Sequence, residues 1–118
     1  MYRQGDVLIV PVAKLPPNAK LSVVASAPTN REVTYDTIDE RGHSRVVLAY
    51  GEVTGHAHAI HRSATLYRTE EDARFLKIGA GGAFLKHEEH STIKLPPGNY
   101  QVIRQREYHP EAIRQVAD

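Results

Sequence analysis

The chain has no cysteine, no tryptophan and a single methionine. Without cysteine there can be no disulfide, no thiolate metal ligand and no cysteine nucleophile, so a disulfide-stapled secreted scaffold is excluded and the composition gives no sign of export. An excess of one charge is missing too. Lys and Arg number 15 against 14 Asp and Glu, a formal net charge of +1. Nucleic acid or anionic lipid therefore finds no general attraction, and any such partner needs a local patch. Near the N-terminus the apolar run Val7 to Val12, interrupted by Pro11, is shorter than a signal peptide's apolar region. No segment approaches the ~20 apolar residues that span a bilayer. These absences lead to the expectation of a cytoplasmic protein.

Helical periodicity is also scarce, and strand-like runs take its place. "GDVLIVPV" is short, β-branched and bounded by Gly5 and the Leu15-Pro16-Pro17-Asn18 cluster, the pattern of a buried strand. A proline-rich loop follows, with one weak strand at Leu21 to Ala25. "REVTYDTI" and "RVVLAYGEVTG" flank the polar "DERGHS", which predicts a β-hairpin. Further strands are expected over Thr65 to Arg68, Arg74 to Ile78, Ala83 to His87, Thr92 to Leu95 and Tyr100 to Tyr108. Gly79, Gly81 and Gly82 read as a hairpin turn, and "LPPGN" as the turn before the last strand. "HPEAIRQVAD" predicts a turn or two of terminal helix with Pro110 at its first position. With 118 residues burying roughly 65% of the unfolded surface, the expectation is one domain over residues 1–118. Its class is all-β, a small antiparallel barrel or sandwich with a short C-terminal helical turn.

Five of the seven histidines fall in "GEVTGHAHAIH" at 51–61 and "HEEH" at 87–90. On an extended strand His56 and His58 share a face, while Ala57 and Ala59 occupy the other and His61 falls on the opposite parity. That is an H-x-H metal pair in form. His87 has the parity of Leu85, so it points inward if that leucine is core. His90, three residues on, shares its side only if "HEEH" bends or makes one helical turn. Neutral imidazole suits zinc, iron, copper and nickel, and three or four histidines complete a site without sulfur. Glu88 and Glu89 can then act as ligand, as acceptor for an imidazole N–H, or as general base. The plain alternative is a set of half-exposed histidines satisfied by neighbouring glutamates, carbonyls and water.

Known metal patterns match in part. "HEEH" is one residue too short for H-E-x-x-H. The H-x-H after Gly51 and the later "PPG" resemble a cupin, with one residue too few before His56, no glutamate at the cupin interval after His58, and Gln101 in place of the third histidine.

A second candidate lies in "NYQVIRQREYH", which puts Tyr100, Val102, Arg104, Arg106 and Tyr108 on one parity. Arginines flanked by tyrosines on a strand face can contact phosphates and stack on bases. The plain reading is arginines paired with nearby carboxylates. Nucleotide-loop and serine-nucleophile signatures are absent.

"GEVTGHAHAI", "HEEHSTIKLPPGNYQVIRQREY", the terminal "VAD" and "QGDVLIVPV" together resemble the recurring segments of an uncharacterised family of small bacterial proteins. The resemblance implies a bacterial source and a single compact domain. The leading expectation is a domain that binds a divalent transition metal, zinc first, with iron, copper or nickel as alternatives. Its ligands are His56, His58 and His87, with His90 as a fourth candidate. Any catalysis would be hydrolase-like, through metal-activated water and Glu88 or Glu89. The rival is a non-catalytic module that binds nucleic acid or a protein partner through Arg104, Arg106 and Tyr108.

Overall fold

The computed structural model describes residues 1–25, 45–50 and 56–105. Ten strands occur among them: β1 Tyr2–Gln4, β2 Val7–Val12, β3 Lys20–Val24, β4 Val46–Tyr50, β5 Ala57–Ile60, β6 Ala64–Arg68, β7 Arg74–Ile78, β8 Ala83–Lys86, β9 Ile93–Leu95 and β10 Gly98–Arg104. They form two antiparallel sheets, ordered β1-β2-β10-β7-β6-β3 and β4-β5-β8-β9. The sheets do not close into a barrel, so the sandwich is the expected alternative that holds. The expected strand over 31–38, with the hairpin expected of it, and the C-terminal helical turn lie outside the described residues.

Alternation decides which side chains fill the space between the sheets. Val7 and Ile9 of β2, Tyr100 and Val102 of β10, Leu76 and Ile78 of β7 and Ala64 and Leu66 of β6 form one cluster with Val46, Leu48, Ile60, Ala83, Leu85 and Leu95 of the smaller sheet. Pro11 sits past the last residue of β2 that pairs with β1, where a missing N–H disturbs only a sheet margin. Between the sheets, the Arg74 guanidinium donates to the Leu48 carbonyl.

The glycine-rich 79–82 segment is not the expected hairpin. Both edges of β7 are already taken by β6 and β10, so β8 cannot pair with it and the chain crosses to the other sheet. Gly82 makes that crossing possible. Its φ is +75°, and a Cβ there would lie 2.7 Å from the Leu95 carbonyl oxygen. The "LPPGN" turn carries the chain back from β9 to β10, fastened by Tyr100 Oη donating to the Pro96 carbonyl at 2.6 Å.

Candidate functional site

Several inward columns change character at one end of the sandwich. On β5, Ile60 is followed toward the strand start by His58 and then His56. On β8, Leu85 is followed by His87. On β10, Val102 is followed by Arg104. Strand register brings the two histidine segments together. Ala59 pairs with Lys86 and Ile60 with Leu85, and the same antiparallel step continued outward sets His58 opposite His87 and His56 opposite Glu89.

The rings follow that register. His87 is the hub, with centroids 4.3 Å from His58, 4.6 Å from His90 and 5.8 Å from His56. His58 and His90 are near-parallel at 5.8 Å. "HEEH" achieves this by a bend at 88–90 rather than a helical turn. The Glu89 N–H donates to His87 Nδ1 at 3.0 Å, closing the bend locally. Ligand atoms of His56, His87 and Glu88 all lie within 4.8 Å of one another.

His58 is 2% exposed, and its environment fixes its proton. The Gln4 side-chain nitrogen stands 2.9 Å from both the Leu85 and Ser91 carbonyl oxygens. Only an amide N–H can meet two carbonyls, so Gln4 Oε1 is the atom 2.9 Å from His58 Nδ1. Nδ1 therefore donates, and Nε2 keeps its lone pair. Burial and the neighbouring His87 push the His58 pKa down to about 4, against the pull of Asp6. The ring is thus neutral and ligand-competent. His56, with its Nδ1 3.5 Å from Glu89 Oε1, is arranged alike, its Nε2 turned away from that carboxylate.

The carboxylates differ from one another. Burial opposes ionisation of Glu88, but the Ala57 N–H donating at 3.0 Å, the residue's own backbone N–H and the nearby His87 and His56 together hold the carboxyl below its usual range. Glu89 is 58% exposed on its side chain.

Three contributors carry no signal in the histidine motifs. Gln4 ends β1, and the two-residue Gly5-Asp6 turn joins β1 to β2. Gly5 has φ +58°, and a Cβ on it would lie 2.8 Å from His90 Nε2 and 3.2 Å from His58 Cε1, so the histidines pack onto bare backbone. Asp6 Oδ1 is 3.6 Å from His58 Nε2, and Asp6 Oδ2 accepts from Arg104 Nη2 at 3.0 Å. Burial opposes the Asp6 charge, yet the Arg104 bond and charge hold its pKa low. Only the "QGD" turn chemistry before an apolar strand could have hinted at them.

Arg104 lies on the parity of Tyr100 and Val102, both 4% exposed, which is the core face of the sheet. Its guanidinium closes the end of the sandwich against Asp6. Arg106 and Tyr108 lie outside the described residues.

Residues 3–105 match the model of a family described as a domain of unknown function, DUF8820, and the chain belongs to that family. No curated protein and no solved structure matches the chain.

Proposed function

We propose that this domain binds a divalent transition metal, zinc first and iron, copper or nickel as alternatives, through His56, His58, His87 and Glu88, with His90 at the margin. One observation carries the reading: His56 and His58 each have Nδ1 facing an acceptor, Glu89 and Gln4. That leaves Nε2 as the ligating atom, turned away from the carboxylate in His56 and 3.6 Å from Asp6 Oδ1 in His58, the arrangement in which an outer acceptor orients a metal-binding imidazole. The donor set of imidazole and carboxylate suits zinc and its neighbours. A tetrahedral zinc site places ligand atoms about 3.4 Å apart, from Zn–N bonds of ~2.1 Å. The 4.8 Å spread of His56, His87 and Glu88 must therefore close by somewhat over an ångström.

Hydrolase-like chemistry is the reaction this donor set supports best. With three of the four named ligands engaged, a position is left for water, and Glu89, whose side chain is exposed and has one oxygen beside His56, has its other oxygen to accept the water's proton.

The test is elemental analysis of tag-free protein purified without chelator, beside His56→Ala and the double variant His56→Ala/His58→Ala. Near-stoichiometric metal in the parent and its loss in a folded variant support the reading. A parent that retains no metal after incubation with zinc, iron, copper and nickel and desalting rules it out.

A further inference from the structure

A depression of about 210 Å³ opens beside the histidines, lined by Arg45, Ala57, Ala59, His61, Lys86, His87 and Glu88. Its size suits a small molecule, since a cavity of about 150 Å³ already holds a six-carbon ring. Ala57 and Ala59 contribute methyl groups only, and this is what leaves room between the basic groups. Those groups come from three elements: Arg45 precedes β4, His61 follows β5 and Lys86 ends β8. The single carboxylate among the described lining residues, Glu88, is engaged by the Ala57 N–H. Arg45 Nε is buried and, among the described residues, has no hydrogen-bond partner. An unmet guanidinium N–H is costly unless something accepts from it, and Nε–H with its neighbouring Nη–H forms the side-on fork that grips a carboxylate or phosphate.

We propose that this depression is an anion site, with Arg45 as its anchor and Lys86 and His61 at its sides, that takes the carboxylate or phosphate group of a small molecule. Its use as a substrate anchor rests on the metal reading, because His87 and Glu88 line it and would present the bound molecule to the metal. Anion binding itself does not depend on metal. Ligation by Glu88 would neutralise the only negative charge among the described residues of the wall, so metal and anion should strengthen each other's binding reciprocally.

The experiment is an NMR titration of the metal-free protein with acetate and, separately, inorganic phosphate at constant ionic strength, following the backbone amides of Ala57, Ala59 and Glu88 in every variant and, in the parent, the Arg45 Nε–H resonance as well. Saturable binding is expected, weakened at least about tenfold by Arg45→Met, as for loss of a charged hydrogen bond, and about two- to fivefold by Lys86→Met, as for an exposed ion pair. Arg68→Met, which removes an exposed cation paired with Asp72 far along β6, should leave it unchanged. If Arg45→Met does not fold, Arg45→Lys, which keeps charge but lacks the fork, and Lys86→Met carry the comparison. Response to acetate alone or phosphate alone identifies the anion class. No saturation with either, or equal losses in the Arg45 and Arg68 variants, overturns the proposal. Because the protein is metal-free, that failure leaves the metal reading intact, and absence of metal in the elemental analysis leaves the anion site intact.

Discussion

His58 Nδ1 donates to Gln4 Oε1 at 2.9 Å, and the Gln4 amide nitrogen in turn holds the carbonyls of Leu85 and Ser91. One buried side chain thus joins the first strand, the H-x-H strand and both sides of the "HEEH" bend. Gln4→Leu strands an imidazole N–H and two carbonyls at once. The expected loss is about 2–3 kcal/mol, near the upper end for unsatisfied buried groups, read from urea denaturation. A loss under about 0.5 kcal/mol, the size of an ordinary surface change, would show that Gln4 does not hold the site.

Gly5 and Gly81 separate strain from steric fit. Both have positive φ, +58° and +88°, but a Cβ at Gly81 meets nothing within 4 Å, whereas at Gly5 it meets His90 and His58. Gly81→Ala should cost about 1 kcal/mol of backbone strain. Gly5→Ala should cost more and should also displace the His58 and His90 ring resonances, which two-dimensional NMR would detect. Unmoved rings in folded Gly5→Ala would contradict the packing described.

Acid should destabilise the metal-free protein in a defined window. The folded His58 pKa of about 4 lies below the ordinary 6.5, so between these values the unfolded chain binds more protons. The contribution is fully present above pH ~6.5 and is lost as pH falls toward ~4, amounting to about 3 kcal/mol by the usual conversion. Asp6 and Glu88, both held low, extend the loss below that range. Denaturation at several pH values should show this slope, flattened in His58→Gln. A parent equally stable at pH 7 and pH 4.5 would refute it.

Metal should move the 88–90 bend. With Nδ1 accepting from the Glu89 N–H, neutral His87 carries its proton on Nε2, so ligation by either nitrogen displaces a hydrogen. On zinc addition the Glu89 amide should shift strongly, while Thr69 and Ala73, in the β6–β7 turn, should not. His61→Ala should leave metal content unchanged, because that ring lies on the other parity of β5. A Glu89 amide that stays put in zinc-loaded protein would remove His87 from the ligand set.

Leu85 is fully buried two residues before His87. Leu85→Ala should cost about 2–5 kcal/mol and loosen the histidine hub, seen as lower stability together with weaker zinc binding. If only stability falls, the hub does not depend on the core beneath it.

Local chemistry in the sequence determined a good deal. Absence of cysteine removed disulfides and thiolates, and β-branched runs between Gly and Pro marked β2, β4, β6, β7, β8, β9 and β10 closely, because those residues act within a few positions of themselves. Period-two alternation put His56 and His58 on one side, and Leu85 marked the side for His87. β1 and β5 were poorly marked, since neither YRQ nor AHAI contains a run of β-branched or large apolar residues. Tertiary structure alone decided that β8 crosses to the second sheet, because β7 had no edge left. It also decided that His58 faces His87, because the Ala59–Lys86 register sets their alignment across 29 positions of chain. Gln4, Gly5 and Asp6 joined the histidines because the two sheets pack face to face, the β1–β2 turn belonging to the other sheet. Which nitrogen of a ring faces an acceptor, and which arginine meets which carboxylate, depends on partners distant in sequence that only strand pairing and sheet packing bring within 3 or 4 Å.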